Sequence, residues 1–275
     1  MDKVIYIVAT PIGNLGDISF RGIEVLKSVD YILAEDTRHS RILLDHYGIK
    51  TRVASFHKFN ESEMLQKIAS ILDEYPKIAL ISDAGTPLIS DPGASLVEYA
   101  LNSQISIVPI PGASALTTLL SVSGFSTLHN NVTFAGFLSH TENAKKGELE
   151  TLLASGDIFA FFDSPKRIDK TIKLIASIDP MADIVIGREL TKIHEEILRF
   201  KASNQPERIM DKGEFTVLVK PSVKKSNKNN LMNKSWDSKS ETKKTAAILA
   251  NYLNIQAKEA YTLLIKLKEE FGTKE

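Results

Sequence analysis

Five short apolar runs, separated by segments of helical periodicity, constrain the first 120 residues more than any other feature. They are Val4–Val8, Asp30–Ala34, a weaker run Arg52–Phe56, Ile78–Ile81 and Ile105–Ile110. Short continuous apolar runs predict strands buried on both faces. The intervening helices are marked by apolar Ile23, Val25 and Leu26, then Ile42, Leu43, Leu44 and Tyr47, then Met64, Leu65, Ile68, Ile71 and Leu72. Such alternation predicts a mostly parallel, doubly wound sheet with helices on both faces. Three strands end in small-residue turns: Thr10–Gly16, Ser82–Thr86 and Pro111–Ser114. Ligands of open α/β sheets sit beyond the carboxyl ends of the strands. Three converging small-residue turns therefore predict one ligand pressed against main chain.

The spacing of these turns narrows the ligand. Gly13-x-x-Gly16 lacks the G-x-G-x-x-G pattern, which excludes the usual dinucleotide fingerprint. No turn is followed by the Gly-Lys-Ser/Thr of a triphosphate loop. There is no Cys, so neither disulfides nor thiolate metal sites enter.

Beyond Gly124 the pattern changes. Val132–Phe137, Ile158–Phe162, Ile184–Ile186 and Phe215–Val219 read as strands, with helices near Glu142–Leu153 and Lys166–Ile178. Their spacing predicts a second α/β domain with a mixed sheet. The expected domains are 1–124, 125–221, a basic linker over 222–240 and a helical hairpin over 241–275. From Pro221 onward eleven Lys face six acidic residues, although the whole chain has zero formal net charge. Bulk electrostatics therefore does not make the protein a polyanion binder, but a local basic patch is expected. No apolar run approaches the roughly 18 residues of a membrane span. No secretion signal is evident at the N-terminus, and a cytoplasmic location without membrane association is expected.

Two charged clusters stand out. Glu35, Asp36, Arg38, His39 and Arg41 follow the second strand and suggest contacts to a polar substrate; helix capping by Asp36 is the competing reading. Arg188 to Glu196 follows a strand and is dense in groups that hold phosphate or move protons. Its competing reading is an exposed helix start with pairs such as Lys192–Glu196. Phe161–Arg167 ends a strand in an aromatic and polar turn. Lys212-Gly213-Glu214 reads as a structural turn.

The series ATPIGNLGD (Ala9–Asp17), AEDTRHSR (Ala34–Arg41), SDAGTPLISDPG (Ser82–Gly93), PGASA (Pro111–Ala115), GFL (Gly136–Leu138), SPKR (Ser164–Arg167), RELTKIHEE (Arg188–Glu196) and KGE (Lys212–Glu214) resembles the small-subunit ribosomal RNA methyltransferases of the tetrapyrrole-methylase type. The resemblance covers Val4 to about Val219, in order. It implies a two-domain α/β homodimer with S-adenosylmethionine in the cleft between domains. By position, Pro11, Asp83, Ala84, Gly85, Thr86, Ile89, Ser114, Ala115 and Phe162 are the expected donor contacts. The implied reaction is 2′-O-methylation of a cytidine ribose in the decoding region, on small-subunit RNA or the assembled subunit. Arg188 and Lys192 are then expected to hold phosphate or acidify the hydroxyl, and Glu189 to accept its proton. Glu35, Asp36, Arg38, His39, Arg41 and His194 are the expected substrate contacts, and no metal is expected. Where the family carries Tyr-Glu-Ser-Pro-His-Arg, this chain has Phe162-Asp163-Ser164-Pro165-Lys166-Arg167, which removes a phenol and shortens a carboxylate. Over 125–221 thirteen Lys and Arg face fourteen Asp and Glu, so the second domain has no basic excess; Lys145 and Lys146 are its expected surface cations, and RNA affinity is expected chiefly from the basic tail. The alternatives are a methylase of this fold acting on a precorrin or diphthine-type substrate, or a non-enzymatic ribosomal RNA-binding protein.

Overall fold

The computed structural model describes residues 2–128, 130–207, 209 and 212–222, together with 242, 246, 250 and 256–271 near the C-terminus. Residues up to Ser222 form one compact unit and those from Val223 a second.

The first sheet contains β1 (Val4–Val8), β2 (Tyr31–Ala34), β3 (Arg52–Ser55), β4 (Lys77–Ile81) and β5 (Ser106–Ile110) in the order β3-β2-β4-β1-β5. Every pairing is parallel. Alternate residues of these strands serve opposite faces. On one face Val8, Ile32, Ala79 and Ile81 pack with Leu26 of α1 (Phe20–Ser28) and Leu43 and Leu44 of α2 (Thr37–His46). On the other, Ile5, Leu33, Ile78 and Leu80 pack with Ile68 and Leu72 of α3 (Glu61–Glu74) and Leu96 and Ala100 of α4 (Ala94–Asn102). The doubly wound arrangement expected from the apolar runs is therefore present.

The second sheet contains β6 (Val132–Phe137), β7 (Ile158–Asp163), β8 (Asp183–Arg188), β9 (Glu196–Lys201) and β10 (Phe215–Lys220) in the order β6-β7-β10-β8-β9. β6 and β7 are parallel and the remaining pairs antiparallel, so the sheet is mixed. One face packs on α6 (Glu142–Ala154) and α7 (Ile168–Ile178) through Leu149, Ile172 and Ile175. The other face receives Leu119 of α5 (Ala115–Val122), together with Ile12 from the turn after β1. These contacts join the two sheets within the first unit.

Strand β9 corrects the sequence expectation at Arg188–Glu196. Arg188 ends β8 and Glu196 opens β9, directly opposite it in the ladder. The intervening residues form a turn in which Glu189 and Thr191 have φ of 50° and 66°. Helical i,i+4 pairs are therefore absent from this stretch.

In the C-terminal unit, Ala246 and Ala250 cluster with Ala260 and Leu264 of α8 (Ala257–Phe271). Beyond Ser222, the expected basic linker over 222–240 lies outside the described residues.

Candidate active site

The three small-residue turns meet because β4, β1 and β5 are adjacent. Thr10 N–H donates to Gly85 O at 2.8 Å, and Gly85 N–H returns a bond to Thr10 O at 3.1 Å. Thr10 Oγ1 donates to Ser82 O at 3.1 Å, and Thr86 Oγ1 to Ala113 O at 3.4 Å. Gly85 adopts φ of 83°, a region that glycine enters without penalty. At Gly112 an added Cβ would lie 2.9 Å from that of Ala9, so these turns approach backbone to backbone.

A cavity of about 440 Å³ lies over this shelf. Its walls include Asp83, Ala84, Gly85, Thr86, Ile89, Ser114, Ala115 and Phe162, all expected from the sequence. Glu35 and Asp91 add carboxylates, and Phe137 adds a second ring 5.6 Å from that of Phe162. Burial, then the neighbouring Glu35 and Asp83, push the Asp91 carboxyl up to about 6. Glu35 is raised for the same reasons, burial first and Asp83 second. Leu88 and Ser90, beside Asp91, hold φ of 72° and 73°. Strain of this kind concentrates at ligand sites.

A second cavity of about 370 Å³ adjoins the first. Pro11, Gly13, His39, Ser40 and Lys192 line it. Ile12, Asp83, Ala84 and Glu214 form walls of both. Lys192 Nζ lies 2.9 Å from Glu189 Oε1 and 3.1 Å from Glu214 Oε2. Burial alone would lower the Lys192 pKa, but the two carboxylates outweigh it and hold the ammonium charged. Burial raises Glu189, yet the bonds from Lys192 and from Glu214 N–H win, and its carboxyl falls below the usual range.

The profile of the Tetrapyrrole (Corrin/Porphyrin) Methylases matches residues 4–205. A ribosomal RNA small subunit methyltransferase I of Mesorhizobium japonicum is 37% identical over 280 residues, 99% of this chain and 95% of the relative. Proteins of the same name from Leptospira biflexa and Thermotoga maritima are 40% and 41% identical, over 78% and 80% of this chain and 90% and 98% of the relatives. The chain belongs to the ribosomal RNA small subunit methyltransferase I family of the tetrapyrrole methylases. Among solved structures, a cobalt precorrin-4 methyltransferase of cobalamin biosynthesis superposes with TM-score 0.59 at 18% identity, covering 78% of this chain and 94% of that one. A conserved hypothetical protein of Aeropyrum pernix K1 gives TM-score 0.62 at 14% identity, covering 81% and 85%. At such identities the two structures show the fold alone.

A member of this family is a methyltransferase that uses S-adenosylmethionine. The residues of the first cavity suit that donor: small residues floor it, two phenyl rings would face the adenine, and Glu35, Asp83 and Asp91 would oppose its positive charge.

The other sequence-predicted residues divide. Pro11, an expected donor contact, and His39, an expected substrate contact, line the second cavity, while Glu35, an expected substrate contact, lines the first. Asp36 caps α2, accepting from Arg38 N–H at 2.8 Å, and its exposed pair with Arg38 draws its carboxyl down to about 2. Arg41 is exposed at 3.8 Å from Asp45, and His194 is exposed in the β8–β9 turn. Arg188 lines neither cavity; its Nε donates to Glu196 Oε2 at 3.0 Å across the β8–β9 ladder. Glu189 is also absent from both walls and lies behind Lys192.

Three residues were missed by the sequence reading. Asp91 and Phe137 lack any local signature beyond their motifs. Glu214 sits in a turn read as structural, yet it pairs with Lys192 and lines both cavities. Lys145 corrects an expectation: it is 6% exposed and donates to Thr171 Oγ1 at 3.1 Å, so it is no surface cation for RNA.

Proposed function

We propose that this chain transfers the methyl group of S-adenosylmethionine to the ribose 2′-hydroxyl of a cytidine in the decoding region of small-subunit ribosomal RNA. The observation that carries this is the meeting of two cavities at Asp83, Ala84 and Glu214, with the Lys192 ammonium in the wall. The names of the relatives support the RNA substrate.

Bound in the first cavity, the donor supplies a methyl group already made electrophilic by its sulfonium. The chain must bring the hydroxyl into line and let its proton leave. The second cavity takes the acceptor nucleotide. Lys192 stabilises the developing alkoxide, and Glu214 and Asp83, on the wall shared by both cavities, are placed to accept the proton. Glu189 acts as a positioning residue that fixes Lys192 through Oε1. Arg188 keeps the β8–β9 turn in place through Glu196. The enzyme works as a homodimer in the cytoplasm, where its substrate is assembled; sedimentation tests the dimer. The tail beyond Pro221 adds salt-sensitive RNA affinity, and its deletion should weaken RNA binding while sparing donor binding.

Tritiated donor incubated with purified small subunits, and separately with naked RNA, tests the function. Label in 2′-O-methylcytidine is the expected result. Label in a base, or none with either substrate, would refute it.

A further inference from the structure

The turn after β3 is the most conspicuous feature that the two cavities leave unused. Phe59 is 94% exposed, and Lys58 beside it is exposed. Exposed apolar side chains are common singly, but this one sits on a stiff frame. His57 N–H donates to Asn60 Oδ1 at 2.8 Å, and Asn60 Nδ2 donates to Ser55 O at 3.0 Å. The N–H groups of Phe59 and Asn60 both donate to His57 Nδ1 at 3.2 Å. The His57 ring stands edge-on to Phe59, centroids 6.0 Å apart.

The frame stands beside the site. β2 and β3 run parallel with Ala34 opposite Ser55, and Phe56 N–H bonds to Ala34 O at 2.8 Å. The turn bearing Lys58 and Phe59 thus leaves the sheet next to the segment of Glu35, Arg38 and His39. Glu35 lines the first cavity and His39 the second. His39 and Lys58 are exposed, while Arg38 and Arg41, also exposed, pair with Asp36 at 2.9 Å and Asp45 at 3.8 Å. The nearby acids of α3 are engaged: Glu61 by the Ser95 hydroxyl and Glu63 by Lys67 at 2.5 Å.

We propose that Phe59 is a stacking platform for an unpaired RNA base flanking the target nucleotide, with Lys58 holding an adjoining phosphate. Every base has a π-face, so such a platform binds RNA without reading its sequence. The inference rests on the RNA substrate proposed above.

The test compares wild type, Phe59→Ala and Phe59→Trp in methyl transfer to small subunits. Stacking contributions predict a KM about tenfold higher for Phe59→Ala, with unchanged kcat, donor affinity and melting temperature, and recovery to near wild type in Phe59→Trp. A KM within twofold of wild type for Phe59→Ala, or no recovery by Trp, overturns the platform. With Trp236→Phe as background, the Phe59→Trp fluorescence should be quenched by single-stranded RNA; no quenching also overturns it and favours a protein contact. A wild-type enzyme inactive on both subunits and naked RNA would instead remove the substrate assignment, and this inference with it.

Discussion

An added Cβ on Gly213 would lie 2.6 Å from Cγ of Glu189 and 2.9 Å from its Oε1. Position 213, in the turn before β10, therefore carries no side chain because the Glu189 side chain occupies that space. Gly213 also holds φ of 100°. Gly213→Ala should lose about 1 kcal/mol or more of stability from the backbone alone. It should also displace Glu189 and with it Lys192. Melting curves together with single-turnover methyl transfer check this, with the loss of rate exceeding what the small loss of fold explains.

Lys192→Met removes the cation at the seam of the cavities. We expect kcat to fall about 100-fold while donor affinity measured by calorimetry stays within twofold. Glu189→Gln should cost less, about tenfold, since a positioning residue is replaced by one that can still accept from Nζ. Equal rates in wild type and Lys192→Met would remove Lys192 from the chemistry.

Much of this was legible in the sequence. The apolar runs gave the strands of the first sheet nearly to the residue, because strands buried on both faces admit little but apolar side chains. The three turns were legible because a shelf of main chain needs small residues. The β8–β9 hairpin was not. Arg188 and Glu196 are eight residues apart and look like a charged helix start, yet they pair across a ladder. Glu214 was hidden for the same reason: its partners, Glu189 and Lys192, are more than 20 residues away. Left-handed backbone at Leu88 and Ser90 carries no glycine to announce it. Lys145 looked like a surface charge because its partners lie on another helix.

The Asp91 carboxyl provides a pH test. Its native pKa of about 6 lies above that of an unfolded Asp, near 4. The unfolded chain therefore gives up this proton first, and stability is lost as pH rises from about 4 through 6. Asp91→Asn never ionises, so its stability relative to wild type should climb across that window and then level off. A gap independent of pH would contradict the raised pKa. Because the donor is cationic, its affinity for wild type should also weaken on acidification from pH 7 to 5, and less so for Asp91→Asn.

The wall behind Phe162 rests on a buried chain of polar groups. Thr171 Oγ1 donates to Asp163 Oδ2 at 2.6 Å and accepts from Lys145 Nζ, while Arg167 pairs with Asp163 at 2.9 Å. Burial holds the Lys145 pKa down, so its ammonium depends on these partners. Thr171→Val leaves both ends short of a bond and should cost about 2 kcal/mol. Urea titration measures it, and a change under 0.5 kcal/mol would be the surface value.

Calorimetric titration of S-adenosylmethionine into Ala115→Leu protein tests the shelf most directly. Ala115 opens α5 in the wall of the first cavity, and a Leu there would fill the floor where main chain is meant to meet the donor. Affinity should drop at least 100-fold while the melting temperature without donor stays close to wild type. Unchanged affinity would mean that the donor lies elsewhere and that the shelf has another use.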